Sequence, residues 1–320
     1  MKKLYESICE NAEGYERVRI PCIVCTDNDT LIACYEMRKS ESDWAIIDIG
    51  MRKSSDGGKV WSEVKILVSS EGVNTVNNPV MICDGDELHF LYCINYSRVF
   101  YMKSTDEGEN WSDAKELTED LRRLTGEFNW TCVATGPCHG LRTASGRLSV
   151  PLWFAYNEKD KKSHHPSVIA VMYSDDRGES WKMGQLCSEL NDASEFSLAE
   201  INDTIIASIR HEGNSLCRAV ARLDESCNIF DIRLVEKLPD PICCAGFITS
   251  GSELLFSNCA SKTERENLTL RRLDGDFGIK ESILINKNGG YSDIALSADK
   301  KTAYVLYEYK KSLICTSVSI

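Results

Sequence analysis

The sequence predicts an all-β chain folded as a six-bladed β-propeller. Three observations carry this expectation: a turn motif that recurs about every 50 residues, short β-type runs between its copies, and few segments of helical period. The motif is Ser-x-Asp-x-Gly-x-x-Trp. It stands at 54–61, 104–111 and 174–181, and it takes three of the six tryptophans.

Each copy reads as a hairpin turn. Ser and Asp can bond nearby backbone groups, Gly supplies a positive φ, and Trp folds its ring back onto the sheet. Two eroded copies follow, one around Asp224 (Arg222-Leu223-Asp224-Glu225-Ser226) and one around Asp274 (Arg272-Leu273-Asp274-Gly275-Asp276-Phe277). The aspartates 56, 106, 176, 224 and 274 are spaced by 50, 70, 48 and 50 residues. The long step carries about twenty extra residues, which the sequence places around 129–165. Runs such as 88–93, 167–173, 204–209 and 303–307 read as strands, punctuated by Asp84-Gly85 and Asn288-Gly289-Gly290. A β repeat of this length is one four-stranded blade, and residues 1–320 have room for six blades in a single domain.

Composition narrows the partners. Hydrophobic residues make up 42% and charged residues 27%, as in a globule with a large core. No apolar run approaches the roughly 18 residues that span a bilayer. Lys and Arg total 37 against 49 Asp and Glu, a net charge of −12. Such a chain is a poor general binder of nucleic acid or anionic membrane, so any anionic substrate must be met by a few placed arginines. The opening residues MKKLYESICENAEGY contain no apolar core of a secretory signal, and the fifteen cysteines are an odd count. The expectation is a cytoplasmic protein with reduced, buried thiols, unless a signal has been trimmed away. Cys22 and Cys25 lie three apart in a strand-like run and so point to opposite faces; the adjacent Cys243 and Cys244 read the same way. The five histidines have no metal-ligand spacing, so neither a metal nor an organic cofactor is expected.

The repeat alone assigns no function, because propellers of this kind serve as enzymes and as binding modules. A wider ordered set of marks does more. It runs through Arg19-Ile20-Pro21, Tyr35-Glu36-Met37-Arg38, Asp43, Gly136-Pro137-Cys138-His139-Gly140, Ser145-Gly146-Arg147-Leu148 and Ser194-Glu195. It continues through Ile209-Arg210, Phe256-Ser257-Asn258, Arg265 and Gly290-Tyr291-Ser292-Asp293. With the Asp boxes between them, these marks resemble the sialidase (neuraminidase) superfamily over roughly 15–310, in its bacterial, Asp-box (BNR repeat) form.

The resemblance implies a retaining exo-α-sialidase acting on terminal sialic acid in glycans. It implies Arg19, Arg210 and Arg265 as a clamp for the substrate carboxylate, a task suited to guanidinium forks. Tyr291 is implied as nucleophile and Glu195 as its base. A phenol titrating at about 10 needs such a base, and it avoids the repulsion a carboxylate nucleophile would meet. Asp43 is implied as general acid and Arg38 as a contact to a sugar hydroxyl. Glu200 competes with Glu195, and Glu41 and Asp48 compete with Asp43, although Asp48 sits in an apolar strand and reads as structural. Trp44 and Trp130 are candidates for the N-acyl pocket or for the core. Cysteine replaces the family's usual small residues or proline at 22, 138 and 259. Two other readings stay open: an inactive propeller that binds a glycan or protein, and an enzyme for another nonulosonic acid or a trans-sialidase. The full set Asp43, Glu195 and Tyr291 speaks for catalysis, since a binding module needs no such set.

Overall fold

The computed structural model describes residues 1–320. Its strands form six antiparallel sheets arranged as a six-bladed propeller. Blades 1 to 5 follow one another along the chain at 17–68, 76–116, 132–183, 196–239 and 246–288. Blade 6 takes its three inner strands from Ser292–Leu296, Thr302–Tyr309 and Ser312–Ser319, and its outer strand from Lys2–Glu10. Lys2 pairs with Ser319, so the two ends of the chain close the ring as one sheet.

Both faces of a blade are covered by its neighbours, so middle strands read as unbroken apolar runs. Leu31–Arg38, Leu148–Ala155 and Ser167–Ser174 are buried along their whole length. At the axis, the buried carboxylate of Asp293 in blade 6 accepts from the amides of Ile23 and His139, both at 2.9 Å, and from His139 Nδ1 at 2.6 Å. One side chain thus ties blades 1, 3 and 6.

The Asp boxes join the third strand of a blade to its outer strand, away from the pocket described below. In each, the serine hydroxyl accepts from the glycine amide at 2.8–2.9 Å, and the aspartate accepts from the amide four residues on. Gly58, Gly108 and Gly178 have φ of 86°, 81° and 84°. At Gly178 a Cβ would collide with the Tyr101 ring, so the glycine also permits close blade contact. The tryptophans depart from expectation, since they pack across the blade interface and not only onto their own sheet. Trp61 donates to Ser7 of blade 6 at 3.1 Å, Trp181 sits 5.5 Å from Tyr101 of blade 2, and Trp111 joins Ile32 and Met51 of blade 1. The eroded copies keep the aspartate's role without the serine. Asp224 and Asp274 accept from the amides two and four residues on, and Cys227 and Phe277 take the positive φ.

The extra residues of the long step are divided. One part is the helix Thr118–Thr125, ahead of the predicted stretch, which buries Leu121 and ends at Gly126. The other is the connection 156–166 between two strands of blade 3. No helix is long and apolar enough to cross a membrane. All fifteen cysteines are free thiols, and only Cys25 and Cys83 are not buried.

Hydrogen bonding within the boxes holds Asp106 and Asp176 at about 2, below the ordinary 3.8. A depressed carboxylate stabilises the fold fully above its unfolded value and loses that contribution as pH falls towards the folded one. Thermal melts from pH 4 to pH 2 should therefore fall more steeply for the wild type than for Asp106→Ala or Asp176→Ala. Parallel curves would remove the boxes from the acid response.

Candidate active site

The pocket opens at the end of the axis opposite the boxes' turns, and the loops of several blades deliver its residues. Tyr291 sits just before the innermost strand of blade 6, and Glu195 and Arg210 flank one hairpin of blade 4. The Arg210 amide donates to the Glu195 carbonyl at 3.0 Å, which holds the two side chains on the same edge. Tyr291 Oη donates to Glu195 Oε1 at 2.8 Å and accepts from Arg210 Nη1 at 2.5 Å. Arg210 also pairs with the other oxygen of Glu195. Arg19 and Arg265 lie 4.8 Å and 5.1 Å from the Tyr291 ring centre. All three arginines predicted for the clamp therefore surround the predicted nucleophile, and all line the pocket.

Their partners differ. Arg19 Nε donates to Glu308 at 3.0 Å; Glu308 also accepts from the amides of Ile20 and Tyr291 at 3.1 Å and 3.2 Å. Glu308 thus fixes both the arginine and the backbone that carries the phenol, and sequence reading missed it. Arg265 comes from the exposed connection 260–265 and bonds only the Ile242 carbonyl, at 3.3 Å. It is the clamp arginine without a carboxylate partner.

Asp43 lies on the loop between Leu31–Arg38 and Ile47–Ser54, about half exposed. Arg38, fully buried, donates to Asp43 at 2.7 Å and to Glu36 at 2.7 Å. Burial pushes the Asp43 pKa up, but Arg38 and Arg19 outweigh it and hold the carboxyl below its ordinary value. Tyr291 behaves oppositely: burial drives its pKa well above the ordinary 10, against the pull of Arg210. In the free site the phenol is protonated and Asp43 is ionised.

The competing candidates fall away from the pocket. Glu200 accepts from the Ala144 amide, Asp48 accepts from Tyr15 at 2.7 Å and from the Ser70 amide, and Glu41 pairs loosely with Arg17. Neither Trp44 nor Trp130 lines the pocket: Trp44 packs behind Tyr96, and Trp130 is buried under Arg122. Besides Tyr291, the pocket is lined by Tyr96 and Trp153, which the sequence reading did not single out. Cys243 and Cys244 correct a further expectation, because they lie in a loop and both enter one apolar cluster beneath Tyr291. Cys244 Sγ is 3.4 Å from Cys138, which occupies a family small-residue position. Outside the pocket, Asp84, Glu87 and His89 bring three donor atoms together, but Arg142 and Arg177 already neutralise that acidic pair.

The axial pocket gathers arginines around a buried tyrosine–glutamate pair. Residues 69–300 match the model of the BNR repeat-like domain, and the chain belongs to this family. It is 25% identical to a sialidase of Bacteroides fragilis over 91% of the chain, and 25% identical to one of Paraclostridium sordellii over 93%. The alignments cover 59% and 83% of those proteins. Among solved structures, the Hadza microbial sialidase Hz136 superposes with a TM-score of 0.84 at 21% identity, covering 98% of this chain and 68% of that one; it supports the fold.

The partner pattern separates the arginines by stability. Arg19→Ala strands Glu308 in the protein and should cost about 3–5 kcal/mol in denaturant melts. Arg265→Ala orphans no carboxylate and should stay within about 0.5 kcal/mol of wild type. Equal losses would contradict the pairing.

Proposed function

We propose that the protein is an exo-α-sialidase that releases terminal sialic acid with retention, through Tyr291 and Asp43. The observation that carries this is the phenol of Tyr291 bonded at once to Glu195 and Arg210 beneath the arginines 19 and 265. A sialoside carries a carboxylate on its anomeric carbon. Arg265, with no carboxylate of its own, offers the open fork for it, and Arg19 and Arg210 complete the clamp.

Tyr291 gives its proton to Glu195 as its oxygen attacks the anomeric carbon; Arg210 beside it stabilises the negative charge that develops on the phenol oxygen. Neutral phenol approaches without repulsion, which suits tyrosine where other glycosidases use a carboxylate. Asp43 protonates the departing oxygen, then takes a proton from the water that attacks the anomeric carbon, while Glu195 returns its proton to the leaving phenol oxygen of Tyr291. In the free site Arg38 and Arg19 keep Asp43 ionised. A substrate carboxylate that engages Arg19 weakens that hold, so binding itself raises the acid towards its working state. Arg38, already committed to Glu36, stays beside the acid and can bond a neighbouring sugar hydroxyl.

A 2,3-difluoro sialic acid tests the covalent step. The fluorine beside the reacting carbon slows breakdown of the intermediate. The enzyme should gain one sialyl mass on the peptide holding Tyr291; Tyr291→Phe should not, and Asp43→Ala should, since fluoride needs little acid help. Labelling of Glu195 instead would overturn the nucleophile. Silence in both labelling and a fluorogenic sialoside assay would favour a binding propeller.

A further inference from the structure

Arg265 has no carboxylate partner, so something else must hold it in the pocket. Its one hydrogen bond is to the Ile242 carbonyl, at 3.3 Å. Ile242 stands in the turn Asp240-Pro241-Ile242-Cys243, on the connection from blade 4 to blade 5. Its φ is 59°. Proline followed by a residue of positive φ is the order of a turn that ordinarily places glycine second. A β-branched side chain at such a φ crowds its own backbone. Ile20 and Ile242 are the chain's two β-branched residues in this conformation; one follows Arg19 and the other bonds Arg265.

Strain of this kind persists only where the surroundings over-determine it. Around Ile242 they do. Asp240, buried, accepts from the Cys243 amide at 3.0 Å through Oδ1 and from Arg218 Nη1 at 3.1 Å through Oδ2. Its own amide donates to the Leu216 carbonyl at 3.2 Å. Arg218 Nη1 also donates to the Cys243 carbonyl at 2.8 Å. Its Nε and Nη2 donate to the Ser208 hydroxyl and carbonyl at 3.0 Å and 3.2 Å. From blade 5, Asn258 donates to the Pro239 carbonyl at 2.8 Å and to Asp240 at 3.4 Å. The residues on both sides of the Pro241-Ile242 pair are thus gripped by one wholly buried arginine and its carboxylate partner. Neither Arg218 nor Asp240 lines the pocket. A buried ion pair is a weak source of stability, so its use here is geometric.

We propose that Arg218 and Asp240 are positioning residues for Arg265: they lock the turn 240–243 in its strained form, so that the Ile242 carbonyl holds the Arg265 guanidinium beside Tyr291. The guanidinium rests 5.1 Å from the centre of that ring. An arginine on an exposed connection is thereby placed by groups that never meet the substrate. That Arg265 receives a substrate carboxylate rests on the sialoside reading above; its placement by the turn does not.

The test compares the full chain with Asp240→Asn, alone and combined with Arg265→Ala or with Ile242→Gly. Asparagine keeps the shape of the side chain and loses its charge. Thermal melts check folding; if Asp240→Asn does not fold, Arg218→Lys replaces it, since a lysine keeps the charge but cannot reach every acceptor at once. Calorimetry measures 2,3-dehydro sialic acid and its methyl ester. Asp240→Asn should weaken the acid about tenfold, the worth of one hydrogen bond to a charged group, and leave the ester unchanged. In the Arg265→Ala background it should cost nothing further. Adding Ile242→Gly should restore part of the lost affinity, because glycine takes a positive φ unaided. Crystal structures of the free chains should show Arg265 off the Tyr291 ring in Asp240→Asn and back on it once Ile242→Gly is added. An equal loss for acid and ester, an additive loss with Arg265→Ala, no rescue by Ile242→Gly, or an unmoved Arg265 overturns the proposal. A wild type that binds neither ligand sinks the sialoside reading instead, and the place of Arg265 in the crystals then decides the positioning role by itself.

Discussion

Buried guanidinium groups need partners, and the mouth of this propeller holds three that are mostly or wholly shielded from water. Arg38 pairs with Glu36, Arg19 with Glu308 and Arg210 with Glu195, while Arg265 reaches in from an exposed connection without a carboxylate. The pairing shapes everything around it. Glu308 joins blade 6 to blade 1 and holds the Tyr291 amide; Glu36 accepts from the Asn78 amide at 2.8 Å and joins blade 1 to blade 2. The same carboxylates that make the arginines tolerable therefore staple the blades at the level of the pocket. Asp293 staples them at the axis, and the boxes with their tryptophans staple them at the far face.

This layering explains what could be read from sequence. The boxes recur because the same turn is needed wherever a third strand meets an outer one, so period and blade number were legible. Blade 6 has no box because its outer strand comes from the other end of the chain. Asp43, Glu195, Tyr291 and the four arginines were legible only as a set, through resemblance, and the structure gathers them in one pocket. Glu308 was not legible, because its partner Arg19 lies 289 residues away and nothing local marks the pair. Tyr96 sits in the turn between two strands of blade 2 and Trp153 inside a strand of blade 3, and nothing local in the sequence marks either as facing a cavity. Trp44 and Trp130 were open between the N-acyl pocket and the core, and both are used for packing. The helix Thr118–Thr125 is too short for its period to stand out against strand patterning.

The free site sets the protons of its phenol and its loop carboxyl in opposite ways. Burial keeps the phenol protonated and bonded to Glu195, while Arg38 and Arg19 keep Asp43 ionised. On the proposed reading, a substrate carboxylate that draws on Arg19 loosens the hold on Asp43, so that the acid can take up the proton it delivers. The cysteine cluster below Tyr291 adds compact apolar packing with no charge of its own, consistent with a floor that leaves the balance above undisturbed.

The central claim is that the pocket is organised to hold one carboxylate. The most direct measurement compares, by calorimetry, the affinities of 2,3-dehydro sialic acid and its methyl ester, which keeps the ring, hydroxyls and acyl group but removes the charge. The account predicts that the ester binds about a hundredfold more weakly or worse, because a charge-assisted fork is lost against arginines that remain in place. Equal affinity for acid and ester would contradict it.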